Sequence, residues 1–491
     1  MSPHGPARLA RLARLRTLPG EQWLFGLFVV VVLVSGVLAT LWHNPLLLLP
    51  ALLVPGLLMV LLDWRLLYYL LFATLAFSME IPLPGGLTMD VPSEPLMLVL
   101  TACVGLALVL GAGQLPWREV LHPLVLILGL MLLWAFVDTF FSVDKTKSVK
   151  YLLAKVWFIT PFLFGTLLVV RRPQHAWRFA GWYAAGATLA VFYVLARHST
   201  EGFSFARTNW ALRPFFRNHV TYATILALLL PFVLLGMRQA RRLPRLAWGT
   251  ALGVMLVGLF LSYTRASMLA VPVAGLYYLV MRWRLTKVLL LGAALAAAGV
   301  TVYFASDHTY MRYRPDYDKT IFNGQNFGKH LQATYKFEDV SGMERVYRWI
   351  AAARMIADRP LLGSGPATFY PQYKRYTVKS FHTYVSDNPE HSTTHNYFLL
   401  QLAEQGIPGF GLFCLLLMVA LVRAEKLYHR AHDPAVRRVV LAATLSLVVI
   451  VFHLLLNELV EVDKIGSVYF VCLALLIKAE TWVAEGVPSD A

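Results

Sequence analysis

Two histidines lie one helical turn apart, immediately before a long apolar segment. His391 and His395 belong to the stretch HSTTHNYFLLQLAEQGIPGFGLF, residues 391–413, and Glu404 follows inside the apolar run. A neutral imidazole can accept a proton near pH 7, so His395 is a candidate general base. The same residue could serve only as an anchor at a membrane surface. A zinc pair also fits the spacing, but no third ligand stands nearby in the sequence.

Two arginines begin or interrupt other apolar segments. Arg265 lies in SYTRASML between two apolar runs, and Arg217 lies in RPFFRNHVTYA with Asn218 and His219 directly after it. The planar guanidinium group suits phosphate oxygens, so both arginines are candidate ligands of a phosphate or diphosphate. An arginine at a helix end can instead reach toward water as an anchor. This second interpretation is the stronger one for Arg217.

The elements that must position these residues are transmembrane helices. The chain of 491 residues is 58% hydrophobic and only 14% charged, whereas soluble domains are about a quarter charged. A helix needs roughly 20 apolar residues to cross a bilayer. We therefore expect an all-α polytopic integral membrane protein with 12–14 transmembrane helices. The expected spans are 23–42, 45–62, 66–80, 95–112, 121–141, 150–170, 176–197, 218–237, 246–263, 267–281, 286–305, 397–422, 437–457 and 464–480.

Basic residues alternate between the connections and predict the orientation. Lys and Arg cluster near residues 171–178, 238–245, 282–287 and 423–438, while residues 81–94 contain none. The positive-inside rule puts the clusters and both termini in the cytoplasm. The expected divisions are a basic cytoplasmic N-terminus (1–22), transmembrane helices (23–305), one large external loop with helices (306–396), C-terminal transmembrane helices (397–480) and a cytoplasmic tail (481–491).

The net charge of +17 is largely explained by this orientation, and nucleic acid binding is not expected. All three cysteines, Cys103, Cys414 and Cys472, fall in apolar runs, which argues against a disulfide framework or a thiolate metal site. Within the large loop, GMERVYRWIAAARMIADRP (342–360) has helical spacing. Its expected apolar side consists of Val346, Ile350, Ala353, Met355 and Ile356.

Two further patterns in the loop are weak. Asp316 and Asp318 match the short carboxylate pair of metal-dependent glycosyltransferases, although a three-residue match arises easily by chance. The turn GSGPATF, residues 363–369, exposes backbone N–H groups but lacks the lysine of a nucleotide-binding loop. We expect neither a metal nor a cofactor.

Three motifs together resemble a known family. HNYFLLQLAEQGIPGFGLF resembles the signature of the O-antigen ligase and O-antigen polymerase superfamily. ERVYRWIAAARMIADRPLLGSGPATF (344–369) and SYTRASML (262–269) are similar to two further motifs of that superfamily. They occur in the family's order and cover roughly residues 210–415, whereas residues 1–200 are similar only in forming hydrophobic helices.

The resemblance implies a GT-C-like membrane glycosyltransferase. Such an enzyme transfers a glycan from undecaprenyl diphosphate, with inversion and without a metal, on the periplasmic face of the bacterial inner membrane. By resemblance, His395 takes the place of the general base and Arg265 that of the arginine that binds the diphosphate. Arg217 takes that of a second such arginine. The other expected substrate contacts are Asn218, His219, Asn396, Arg345, Arg348 and His391.

The superfamily includes three reactions, and we favour the first. A ligase transfers the glycan to lipid A–core, whose phosphates suit the basic loop. The alternatives are a polymerase of repeat units and a protein oligosaccharyltransferase. A flippase or transporter of lipid-linked sugars is the alternative from another class. It would predict charges distributed through the bilayer and repeated halves, and the sequence has neither pattern.

Overall fold

The computed structural model describes residues 34, 63–83, 87–110, 115–306, 340–382, 386–388 and 391–486. The first two expected spans, apart from Val34, lie outside the described residues. So do Asp316 and Asp318. The chain divides into a unit of residues 1–67 and a unit of residues 68–491, which contains all the functional residues considered below.

Helices dominate the described residues. The longer ones are α1 (Arg65–Leu75), α2 (Ser93–Val109), α3 (Pro123–Phe141), α4 (Lys145–Val169), α5 (Pro173–Ser199), α6 (His219–Gln239), α7 (Arg242–Leu261), α8 (Arg265–Arg282), α9 (Thr286–Ala305), α10 (Val340–Asp358), α11 (Tyr397–Arg430), α12 (Pro434–Leu454) and α13 (Asp463–Glu485). α4 includes a π-helical turn at Thr160–Phe164. Short helices occupy Trp117–Val120, Thr208–Leu212 and Phe369–Tyr373.

Within the described ranges, nine helices are long and apolar enough to cross a membrane: α3–α7, α9 and α11–α13. This confirms the expected all-α polytopic class. α6 and α13 are the most buried of the nine, because apolar and small side chains cover their whole circumference. They pack with α12 at the centre of the larger unit. The large loop between α9 and α11 contributes α10, which packs against α11.

One boundary expected from the sequence is wrong. The span expected at 66–80 ends as a helix at Leu75, and residues 79–91 form an antiparallel hairpin of β1 (Met79–Leu83) and β2 (Leu87–Val91). Met79 pairs with Val91, and Glu80 pairs with Asp90. Pro82 has no N–H to continue a helical hydrogen-bond pattern, whereas an edge strand tolerates it. The polar Glu80 accordingly leaves the apolar span and lies in β1, opposite Asp90.

The connections between helices gather at two ends of the bundle. We call the end that carries residues 262–264, 391–396 and 455–462 the site end. At the opposite end, charged side chains pair between α3, α11 and α13 and the short helix before α3. Arg423 lies 2.7 Å from Glu480, Lys478 lies 2.8 Å from Glu119, and His122 lies 3.0 Å from Glu480. Polar groups are thus concentrated at the helix ends, as expected where the helix centres face lipid.

α11 contains the kink that its GIPG sequence predicts. Gly406 has φ 64° and ψ −170°, outside the helical region, and Pro408 follows it. The freed backbone groups bind the turn after α10: Ser364 donates its N–H to the carbonyl of Ala403 at 3.0 Å, and Ile407 donates to Pro360 at 2.9 Å. Because of the kink, α11 forms backbone hydrogen bonds with the loop segment that follows α10.

Glu404 strengthens the same junction. Its buried carboxylate accepts the backbone N–H of Ala367 at 2.9 Å and that of Phe369 at 2.8 Å. These two N–H groups belong to the GSGPATF turn, whose glycine-rich backbone exposes them. The carboxylate in the apolar run thus has a structural role, since it satisfies donors that would otherwise be buried without partners.

Replacing Gly406 with alanine is expected to destabilise the protein. An added methyl group would overlap the carbonyl oxygen of Leu361, and the φ of 64° is unfavourable for any residue with a side chain. The expected loss in the free energy of unfolding is about 2–4 kcal/mol. Thermal unfolding of the purified variants in detergent measures it. Gly411→Ala is the matched control, because open space surrounds Gly411 in the same helix. Equal melting temperatures for the two variants would contradict the prediction.

α10 forms where the helical spacing predicts it, but its buried side differs from the expected apolar side. Glu344 and Arg348 are both buried, and their side chains pair at 3.5 Å. Ile350 and Met355 are buried as expected. Val346 and Ile356 are only half-buried, and Ala353 is exposed. A charged pair can occupy the buried side because its partners come from distant segments. Ser386 donates to Glu344 at 2.7 Å, and Arg348 donates to the Thr393 carbonyl.

Candidate functional site

His395 lies at the site end, two residues before α11 begins. Its φ of 52° is in the left-handed region that few non-glycine residues adopt. Such strain persists only where the surrounding structure imposes it, and it is concentrated at functional sites. The neighbouring Asn396 caps α11, since its side chain accepts the N–H of Leu399 at 3.0 Å. His395 is therefore held at the positive N-terminal end of this helix.

Two side chains of α10 fix the segment before His395. Trp349 donates from Nε1 to the carbonyl of Thr394 at 2.8 Å, and Arg348 donates to the carbonyl of Thr393 at 3.4 Å. Both carbonyls lie within two residues of His395. The adjacent residues Arg348 and Trp349 of the loop motif thus have a definite structural task. The expected substrate contact Arg348 is buried, at 4% exposure, which leaves little of its surface for a substrate.

The connection between α12 and α13 forms another side of the site. Asn396 donates from Nδ2 to the carbonyl of Leu455 at 3.2 Å, and Asn457, two residues later, neighbours the imidazole of His395. Burial lowers the pKa of His395 below its ordinary value of 6.5; Glu458 opposes this shift, and Arg348 and Arg345 add to it. The imidazole is therefore neutral at pH 7, as proton abstraction requires.

Arg265 is the first residue of α8 and is half-buried. Tyr263, two residues earlier, has φ 55°, and Thr264 donates to the carbonyl of His219 at 3.1 Å. This contact joins the start of α8 to the start of α6. The interrupted apolar run of the sequence is thus confirmed as a turn that presents Arg265 at a helix start.

A buried polar cluster connects these helix starts to the end of α12. Nε2 of His453 lies 3.2 Å from the hydroxyl of Ser267 in α8 and 3.3 Å from that of Thr224 in α6. Leu455, two residues after His453, contacts Asn396 as described. The N-terminal ends of α6, α8 and α11 therefore all meet the same end of α12. Aligned helix dipoles make this end of the bundle favourable for an anion.

Arg217 has a partner that the sequence did not predict. Its guanidinium lies 2.6 Å from the carboxylate of Glu80 in β1, and its side chain is 70% exposed. Asn218 caps α6 by accepting the N–H of Thr221 at 2.9 Å, and His219 bonds to Asn209 at 3.0 Å. The cap explains why Asn218 stands before the apolar run. Glu80 therefore already compensates the positive charge of Arg217, which was expected to bind a diphosphate.

His391 lies on the exposed surface of the loop. Its ring stacks on Tyr370 with centroids 4.3 Å apart, and its φ is 55°. The positive charge of Arg345 in α10 contributes to the lowered pKa of His395. In the part of the chain that the structure describes, no group of three metal-ligating side chains occurs. The pair His391 and His395 consequently has no third ligand there.

Sequence reasoning did not assign Asn457 and Glu458 to the site. Both lie just after the apolar span expected at 437–457 or at its last residue, where an ionisable residue such as Glu458 could equally well pair with another helix. One signal in the sequence could have assigned Glu458 to the site: it directly follows an apolar span that ends on the same side of the membrane as His395. The nearby Glu461 has a separate environment, since it accepts from Lys155 at 2.8 Å and from Tyr397 at 2.6 Å.

Comparison with known proteins adds one finding to this geometry. A family model described as O-antigen ligase matches residues 250–414. The matched segment, one third of the chain, contains Arg265, α10, the GSGPATF turn, His395 and the kink at Gly406. No curated protein matches the chain.

Proposed function

We propose that this member of the O-antigen ligase superfamily transfers a polysaccharide from undecaprenyl diphosphate to lipid A–core at the periplasmic face of the inner membrane. One observation carries the proposal: the matched segment contributes both His395 and Arg265 to a single end of the bundle, linked through the end of α12. A base and a cation at one membrane surface are what transfer from a lipid diphosphate requires.

The reaction assigns each group a task. Arg265 and the N-terminal ends of α6, α8 and α11 stabilise the negative charge that accumulates on the departing diphosphate. His395 removes the proton of the acceptor hydroxyl as its oxygen bonds to the anomeric carbon, and the bond from that carbon to the phosphate oxygen breaks. Attack opposite the leaving group inverts the anomeric configuration. Because the leaving group is already a good one, the reaction needs charge stabilisation and a base rather than a nucleotide or a metal.

The positions of the other expected contacts refine this proposal. Arg348 and Asn396 hold the backbone around His395, so we assign them to positioning. Arg217, paired with Glu80 on the exposed surface, can meet donor phosphates only by exchanging that partner. Arg345 and His391 remain proposed acceptor contacts, because both belong to the loop that covers His395.

The acceptor decides between the members of the superfamily. Purified protein would be incubated with a glycan on undecaprenyl diphosphate, with and without lipid A–core, and the products separated by gel electrophoresis and identified by mass spectrometry. Ladders on lipid A–core, formed equally in EDTA, are the expected result. Lengthened donor without lipid A–core would make the protein a polymerase instead. Movement of the donor across vesicle membranes without any new glycosidic bond would support a flippase.

A further inference from the structure

We propose that Glu458 is a positioning residue for His395, whose carboxylate orients the imidazole and stabilises its protonated form while the acceptor hydroxyl is attacked. The proposal rests on the proposed function, and it names a residue outside the segment that matches the family model. Glu458 lies between the end of α12 and the short helical turn Leu459–Glu461.

The backbone around Glu458 is fixed against the segment that carries His395. The N–H groups of Leu456 and Asn457 both donate to the carbonyl of His453, at 2.9 and 2.8 Å, which forms a tight turn after α12. Asn396 then ties this turn to the start of α11 through the carbonyl of Leu455. Glu458 is therefore held near His395 by backbone contacts, independently of its own side chain.

Both side chains retain an unused polar atom on the inside of the site. Oε2 of Glu458 and Nδ1 of His395 are each buried, and neither forms a hydrogen bond with another described residue. An unpaired buried carboxylate oxygen is costly unless a positive charge compensates it at some stage. The imidazolium that forms when His395 takes a proton would supply that charge.

Two positive charges near His395 disfavour the protonated imidazole, so a negatively charged neighbour is needed to stabilise it. Arg345 and Arg348 of α10, Asn457 and the acidic Glu458 are the neighbours that act on the charge of the imidazole. The two arginines and burial oppose protonation, although the pairing of Arg348 with Glu344 weakens its share. Without Glu458, the imidazolium would form beside two cations in a largely buried site. A base whose conjugate acid is so unfavourable abstracts a proton slowly.

The proton balance of the step is simple. The acceptor hydroxyl gives its proton to an imidazole nitrogen, its oxygen forms the bond to the anomeric carbon, and the diphosphate leaves with the electrons of the broken bond. His395 is then cationic and pairs with the anionic Glu458. Release of the proton to water restores the neutral base. Glu458 touches neither donor nor acceptor.

The test separates the pairing from the catalysis. Glu458→Gln removes the charge at constant size, and Glu458→Asp retains it. Glu201→Gln is the control, since it removes a half-buried carboxylate that pairs with Arg207 at 3.4 Å. Diethyl pyrocarbonate modifies neutral imidazole, so the pH dependence of His395 modification, followed by peptide mass spectrometry, gives its titration midpoint without any substrate. The midpoint should move to lower pH in Glu458→Gln, return toward the wild-type value in Glu458→Asp, and stay unchanged in Glu201→Gln.

Transfer rates measured on the same proteins give the second readout. In Glu458→Gln, kcat on the pH plateau should fall on the order of tenfold, the acid limb should move to lower pH, and the donor KM should stay unchanged. An unchanged titration midpoint in Glu458→Gln would overturn the pairing, whatever the transfer rate. A shifted midpoint with unaltered kcat would overturn the positioning role. If the wild-type protein transfers no glycan, the proposed function fails, while the midpoints still decide the pairing.

Discussion

Replacing His395 with alanine should lower the rate of glycan transfer by a factor of about 10²–10⁴, the usual contribution of a general base. The expectation follows from the neutral, half-buried imidazole held at the start of α11. The fall should appear in kcat, with little change in the donor KM, since the base acts on the acceptor proton. Purified variants assayed with donor and lipid A–core measure both constants.

The matched control is His432→Ala, an exposed histidine in the connection between α11 and α12 at the opposite end of the bundle. It should transfer glycan at the wild-type rate. The pH profile supplies a second check. Because burial lowers the pKa of His395 below 6.5, wild-type activity should persist at neutral pH and decline only as the pH falls through that lowered pKa. A His395→Ala protein with near wild-type kcat would exclude His395 as the base.

Replacing Arg265 with alanine should lower transfer by a factor on the order of 10²–10³, the typical loss when one donor to a developing anion is removed. Arg265 begins α8, where its guanidinium and the helix N-terminus both favour a diphosphate. Arg265→Lys should recover only part of the rate, since an ammonium group cannot bind two oxygens in the same plane. The measurements are kcat and the donor KM of each purified variant.

Arg282→Ala provides the comparison, because Arg282 is exposed in the last turn of the same helix at the opposite end. Equal transfer by Arg265→Ala and Arg282→Ala would rule out a role for Arg265 in binding the diphosphate. Loss of thermal stability in Arg265→Ala alone would instead indicate a structural role, so the melting temperatures of both variants belong to the same experiment.

The sequence was most informative about elements that depend on local composition. Every expected span from residue 95 onward overlaps a helix of the described residues, because a long apolar run leaves the backbone few alternatives in lipid. The glycine and proline at 406 and 408 likewise revealed the kink. The hairpin at 79–91 was missed because five-residue strands carry little periodicity.

The site itself was only partly predictable for a different reason. His395 and Arg265 stood out because ionisable groups beside apolar runs are unusual, whatever the rest of the chain does. Their neighbours depend on contacts between distant segments, such as Asn396 with Leu455 and Arg217 with Glu80. The sequence of one segment does not show which carboxylate pairs with which cation. For the same reason, the sequence did not predict that the pair Glu344 and Arg348 would lie on the buried side of α10.

The kink in α11 couples the loop to the helix that presents His395. The loop contacts α11 at two places: beside His395 through Trp349, and about two turns further along through Glu404 and the turn at 363–369. A helix clamped at both points cannot tilt alone. If acceptor binding displaces α10, His395 would therefore move with it. Binding of the acceptor and placement of the base would then depend on the same conformational change.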